Sequence, residues 1–258
     1  MTPVKPDSGA RYPGIALITG GTRGIGRAIS MRLAADAPAH LILAYNRNHD
    51  AARASAAMLR ERGVACTTVP CELGREDEIE RLFALIAERF GRLDLFVSNA
   101  ARASFRPARS MSLRAWQRTM DINARAFLHG SQLAAKLMTS GGAIVGLSSL
   151  GSRGWAPGYV ALGAAKAALE STARYLAVEL APLGINVNVL CGGLIDSETL
   201  SDAPELAGYV AAARRRCPAG RLGRPEDLAE IVAFLASPAA GWIRGQTIVA
   251  DGGLSLVS

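Results

Sequence analysis

Ile15-Ala16-Leu17-Ile18-Thr19-Gly20-Gly21-Thr22-Arg23-Gly24-Ile25-Gly26 is the stretch on which the fold turns. The run Ile15–Thr19 reads as a short buried strand, and a glycine-rich turn leads into a helix expected from about Ile25 to Ala35. Glycine permits a tight turn and lets the backbone approach a pyrophosphate. The start of a helix then offers unpaired N–H groups and the positive end of its dipole. Gly20, Thr22, Arg23, Gly24, Ile25 and Gly26 are therefore the candidate phosphate cradle of a dinucleotide. Glycine-rich turns are common, so the weight lies in the strand before and the helix after.

Outward from this turn, strand and helix patterns alternate to the end of the chain. Further strands are expected at His40–Tyr45, Cys66–Pro70, Leu93–Ser98, Ala143–Leu147, Asn186–Leu190 and Thr247–Ala250. Helices are expected at Asp50–Arg62, Glu76–Phe90, through Trp116, Asn123 and Leu137, from near Tyr159 to Leu180, and at Pro225–Ala236. Such alternation predicts an α/β, single-domain Rossmann fold: a doubly wound parallel sheet of about seven strands with helices on both faces. Residues 1–13 read as a flexible lead-in, 14–258 as the domain, and about 195–220, which fit the alternation poorly, as a lid over the substrate site.

Composition narrows the function classes. The apolar runs are short and broken by Gly, Pro or charge, so no span of a bilayer is expected. Four cysteines without a C-x-x-C pair and only three histidines argue against a zinc site and for free thiols in a reducing cytoplasm. The net charge of +7 includes two arginine groups, Arg102–Arg118 and Arg214–Arg216. They read as solvated surface or as recognition of an anionic ligand: NADPH, coenzyme A or an acidic carrier protein. Nucleic acid is not expected, because no aromatic residues interleave the basic ones and no recognised motif is present.

The second strand bears on the choice of cofactor. A site for NAD usually ends that strand with a carboxylate for the ribose hydroxyls. Here Tyr45-Asn46-Arg47-Asn48 has none, and Arg23 and Arg47 would clamp a 2′-phosphate, so NADPH is expected. Glu72, after the third strand, is placed either to approach the adenine or to lie on the surface.

Together with this turn, Ser98-Asn99-Ala100-Ala101, Asn123, Ser148-Ser149, Lys166 and the closing Asp251-Gly252-Gly253 make the chain resemble the short-chain dehydrogenase/reductase superfamily over nearly its full length. In ketoreductases of that superfamily the acid–base tyrosine stands four residues before the lysine; here that position is Leu162. Tyr159 lies seven residues before Lys166, the Tyr-x6-Lys spacing of enoyl reductases. The sequence is similar to the enoyl-acyl-carrier-protein reductase III group and to 1-cyclohexenylcarbonyl-CoA reductase through Val97–Ala101, Arg174–Glu179, Gly192–Ser197 and Arg244–Thr247. Gly192 also stands where many superfamily members have proline.

A physical reason favours the shifted tyrosine. In a ketone the carbon that accepts hydride and the oxygen that needs a proton are bonded, roughly 1.2 Å apart. In an α,β-unsaturated thioester hydride enters at C3 while charge grows on the C1 oxygen, so the stabilising group must sit farther from the nicotinamide.

The resemblance implies NADPH-dependent reduction of the C2–C3 double bond of an enoyl thioester, carried by CoA or an acyl carrier protein, in fatty-acid or polyketide biosynthesis. It implies Tyr159 as donor to the enolate oxygen, with Lys166 on the nicotinamide ribose and its charge favouring ionisation or polarisation of Tyr159. Ser149 would touch the substrate carbonyl or be structural, Asn123 would order its helix and a water chain, and Asn99 would shape the cofactor cleft. Ala100, Gly192 and Ile195 would complete the cofactor site, and Ala101, Leu150, Leu162, Leu200 and Leu206 would line the acyl group. A cytoplasmic homotetramer is the expected assembly. Two other readings stay open: an atypical 3-ketoacyl-thioester or other carbonyl reductase, and a non-catalytic NADPH-binding protein.

Overall fold

In the computed structural model, residues 14–102, 104–196 and 206–257 are described. Strand β1 (Ile15–Thr19) is buried along its whole length because it lies inside a seven-stranded parallel sheet. Its partners are β2 (His40–Tyr45), β3 (Cys66–Pro70), β4 (Leu95–Ser98), β5 (Gly142–Ser149), β6 (Ile185–Gly192) and β7 (Thr247–Ala250), in the order β3-β2-β1-β4-β5-β6-β7. Every pairing is parallel, with Thr19 beside Ala44 and Ile18 beside Val97.

Successive side chains of a strand point to opposite faces. Ala16 and Ile18 of β1 enter one core, with α1 (Gly24–Ala34) and α8 (Pro225–Ala236). Ile15 and Leu17 enter the other, with α3 (Glu76–Phe90), α5 (Ala126–Leu137) and α6 (Val160–Glu179). The sheet is thus apolar on both faces, and each crossover helix covers one of them. The remaining α-helices among the described residues are α2 (His49–Glu61), α4 (Leu113–Met120) and α7 (Ala207–Arg216).

The elements depart from the sequence expectation at several points. β5 and β6 run beyond it to Ser149 and Gly192, because Ser148 and Ser149 pair in register with Cys191 and Gly192 and Ser148 donates to the buried Glu170. The helix expected through Asn123 is broken by a π-helical turn, Asp121–Arg125, between α4 and α5. The span read as a lid contains α7, whereas Leu200 and its neighbours at 197–205 lie outside the described residues, as do residues 1–13.

The order reverses at β1, where β2 lies on one side and β4 on the other. In doubly wound sheets ligands bind outside the carboxyl ends of the strands at such a point. The glycine turn and Asn99 both lie there.

Candidate active site

The cradle is built by β1, β2 and β4 together. Gly20 and Gly21 donate backbone N–H groups to Ala44 O, which folds the turn against the end of β2. From the β4 side, Asn99 Nδ2 donates to Thr19 O at 2.8 Å, and the N–H groups of Asn99 and Ala100 both reach Thr19 Oγ1 at 3.1 Å. Ser55 of α2 donates to Thr22 O at 2.9 Å, and Ile25 is half-buried behind the turn.

Two glycines show what this turn is shaped to admit. At Gly26 a Cβ would overlap Gly20 O and lie 2.6 Å from Asn99 Nδ2, so close helix–strand packing requires glycine. At Gly24 (φ +49°) a Cβ would meet nothing within 4 Å, leaving the start of α1 open. No side chain caps α1, so its first N–H groups are free of that competition. These features fit a dinucleotide pyrophosphate.

Arg23 and Arg47 are exposed at the ends of the adjacent strands β1 and β2. Glu72 is tied down: Asn46 Nδ2 donates to its Oε2 at 3.1 Å, and Arg118 Nη2 lies 3.8 Å from the same oxygen. Asn46 and Glu72 thus meet at the rim where an adenine would lie. Gly192 and Ile195 are buried at the far end of β6. A cavity of ≈150 Å³ next to them is lined by Leu194, Ile195, Arg221, Asp227 and Asp251. It includes none of the catalytic candidates and is small against the roughly 300–1,000 Å³ of a usual ligand site.

Of the catalytic candidates, Ser149, Tyr159 and Lys166 lie where β5 ends and along the first half of α6. Tyr159 immediately precedes α6, and its hydroxyl shares a hydrogen bond of 2.9 Å with Ser149 Oγ at the end of β5. The Phe105 ring lies beside the Tyr159 ring, centroids 5.9 Å apart, and a Cβ on Gly151 would lie 2.4 Å from the ring's Cδ1 and Cε1. Burial pushes the phenol above its ordinary range, partly offset by the Ser149 hydrogen bond. The shift favours the protonated phenol.

Lys166, 4 % exposed, donates from Nζ to Leu147 O at 2.7 Å, and burial holds its ammonium down to about 8. Burial raises the Tyr159 phenol most, the Ser149 hydrogen bond lowers it, and Cys191 and Tyr209 add to the rise; Lys166 is not among the groups that shift it. Asn123 Nδ2 bridges Thr119 O and Arg102 O, while its buried Oδ1 has no hydrogen-bond partner among the described residues. The π-helical turn aims that side chain across the loop after β4; such turns occur frequently at functional sites.

Among the acyl-lining candidates, Ala101 is exposed and Leu150 half-buried; Leu162 and Leu206, 6 % and 4 % exposed, are packed within the protein. Sequence reasoning missed Glu170. This carboxylate is buried one turn after Lys166 and accepts from Ser148 Oγ and Ser152 Oγ, both at 2.6 Å, and from Arg153 Nε at 3.3 Å. The available signal was an acidic residue four after Lys166 on an otherwise apolar helical face.

The protein-family model described as Enoyl-(Acyl carrier protein) reductase matches residues 20–255. Over 246 residues the chain is 42 % identical to the 1-cyclohexenylcarbonyl-CoA reductase of Streptomyces collinus, covering 95 % of this chain and 88 % of that one. It is 35 % identical to human Dehydrogenase/reductase SDR family member 4, with coverages of 93 % and 86 %. A solved structure from Beutenbergia cavernae, described as an NAD(P) dependent gluconate 5-dehydrogenase and containing NADP at low occupancy, superposes with a TM-score of 0.89. That structure is 28 % identical, with coverages of 95 % and 98 %. With a doubly wound seven-stranded sheet, a glycine cradle at its switch point and a Ser–Tyr–Lys group at β5 and α6, the chain is an oxidoreductase that belongs to the short-chain dehydrogenase/reductase superfamily, within its Enoyl-(Acyl carrier protein) reductase family.

Proposed function

We propose that this protein reduces the C2–C3 double bond of an enoyl thioester with NADPH. One observation carries the reading. The tyrosine that meets Ser149 is Tyr159, and the position that would serve a ketone is occupied by Leu162, buried in α6. The similarity to a CoA-linked enoyl reductase supports it.

NADPH, when bound, supplies the hydride that enters C3. Gly20 to Gly26 would hold its pyrophosphate, Arg23 and Arg47 its 2′-phosphate, and Lys166 the nicotinamide ribose. Ala100, Gly192 and Ile195 would close the cleft around it. Tyr159 keeps its proton and donates to the thioester oxygen as negative charge develops there, a stabilisation realised most fully in the transition state. Ser149 fixes the direction of that hydroxyl. Asn123 joins α4 to the loop after β4 and leaves Oδ1 to hold water near the lysine side of the site. A proton from solvent at C2 completes the saturated thioester. Leu150, Leu162 and Leu206, with Ala101, would surround the acyl chain.

The exposed Arg106 and Arg109 suit the phosphates of CoA or an acidic carrier. Tyr175 and Val178, 69 % and 75 % exposed on α6, offer apolar surface for a homotetramer. Among the described residues no helix is long and apolar enough to cross a membrane.

The Ser149–Tyr159 hydrogen bond also favours a second reading, carbonyl reduction by a displaced tyrosine. Product analysis separates the two. With NADPH, crotonyl-CoA should yield butyryl-CoA, whereas 3-hydroxybutyryl-CoA from acetoacetyl-CoA as the main product would replace the enoyl reading with the second.

A further inference from the structure

Glu170 is a buried carboxylate that the proposed chemistry does not use. Its partners and those of Tyr159 interleave along one turn of chain. Ser148 and Ser152 donate to Glu170 Oε1, both at 2.6 Å, and Arg153 Nε lies 3.3 Å from Oε2. Between those two serines, Ser149 shares a hydrogen bond with the Tyr159 hydroxyl, and Gly151 lies so close to the Tyr159 ring that a Cβ would overlap it. The turn therefore faces Glu170 with one set of residues and Tyr159 with the set between them.

The helix closes the circuit. Lys166 and Glu170 are four apart on α6, both buried, and a Cβ on Gly163 of the same helix would overlap Gly151 O. A carboxylate gains more from its hydrogen bonds than a neutral acceptor does, and leaving it buried with donors removed is costly. Glu170 is thus a strong anchor, whereas residues 150–152 form only a short 3₁₀ turn with little structure of its own.

We propose that Glu170 is the positioning residue of this active site: it latches the Ser148–Arg153 turn to α6 and so sets where Tyr159 presents its hydroxyl. It touches neither substrate nor cofactor. The proposal rests on Tyr159 as the acting tyrosine and not on which thioester is reduced.

The test begins with a readout that needs no substrate. The chain has five tyrosines, so uniform 3-fluorotyrosine labelling gives a resolvable ¹⁹F spectrum in which Tyr159→Phe assigns the Tyr159 line. In Glu170→Ala that line should shift and broaden while the other four stay in place and NADPH affinity, by fluorescence titration, changes less than about twofold. Glu170→Gln, whose carbonyl oxygen still accepts both serine hydroxyls, should restore most of the wild-type line. Ser152→Ala, a milder variant in case Glu170→Ala does not fold, should move it in the same direction by less. An unmoved Tyr159 line in a folded Glu170→Ala or Ser152→Ala protein overturns the latch.

Kinetics give the second arm, run with whichever of crotonyl-CoA and acetoacetyl-CoA the wild type reduces. A displacement near 1 Å costs on the order of 100-fold, so Glu170→Ala should lower kcat by about that factor with KM for NADPH unchanged. In a Tyr159→Phe background the same substitution should cost less than about threefold, because the hydroxyl being positioned is already gone. Full additivity, or a loss confined to NADPH binding, contradicts the proposal. Failure of the enoyl reading shows instead in which substrate the wild type turns over, and leaves the ¹⁹F result standing.

Discussion

Tyr159 is confined from three directions: Ser149 takes its hydroxyl, the Phe105 ring lies beside it, and Gly151 packs on the ring with no room for a Cβ. Gly151→Ala should therefore push the ring aside, lowering kcat by about 100-fold while the glycine cradle continues to bind NADPH. Equal kcat in that variant would show that the ring has slack. Lys166 provides a test through stability. Burial lowers its pKa from 10.5 to about 8, so the unfolded chain holds that proton more tightly than the folded one. Between those values deprotonation favours the folded state. The Tm of the wild type relative to Lys166→Met should rise as pH goes from about 8 towards 10, and the penalty should be fully present below pH 8. A pH-independent Tm difference would mean that the buried amine titrates normally.

At the scale of elements, strand cores were legible because their apolar runs are unbroken, as in Ile15–Thr19. The ends of β5 and β6 were not. Ser148 and Ser149 read as loop, yet each is satisfied by a partner distant in sequence, Glu170 and Tyr159; Asn186 and Asn188, within the expected strand, bond Ala240 O and Ile243 O. The π-helical turn at Asp121–Arg125 leaves no periodic signal in five residues, so the helix read as continuous. The spacing singles out Tyr159, Lys166 and the cradle glycines as candidates, whereas Glu170 draws no reading because its partners lie at 148–153, distant in sequence. Asn188 makes the lesson measurable. It donates to Ile243 O at 2.6 Å and accepts from Gln246 N at 3.0 Å, tying β6 to the segment that leads into β7. Asn188→Ala should cost about 1–3 kcal/mol for each group left unpaired, read by urea denaturation. A loss under about 0.5 kcal/mol would mean that water replaces the amide.

For the whole molecule, the reversal of strand order at β1 brings the candidate site residues to one end of the sheet. The cradle, Asn99, Ser149 and Tyr159 all follow the carboxyl ends of β1, β4 and β5 or lie at the start of α6. A ligand that binds there stabilises the entire cooperative unit. NADPH at about 100 times its Kd should add about 2.7 kcal/mol and raise Tm by about 5–10 °C. NADH at the same concentration should give a smaller rise, and Arg47→Ala should narrow the difference. Equal shifts for both nucleotides would contradict the assignment of Arg23 and Arg47 to a 2′-phosphate. The most direct test of the central claim is NADPH oxidation with crotonyl-CoA and acetoacetyl-CoA by wild type and Tyr159→Phe. The displaced tyrosine predicts turnover of crotonyl-CoA alone, lowered by about 10²–10³ in Tyr159→Phe. Preference for acetoacetyl-CoA, or undiminished crotonyl-CoA reduction by Tyr159→Phe, would contradict it.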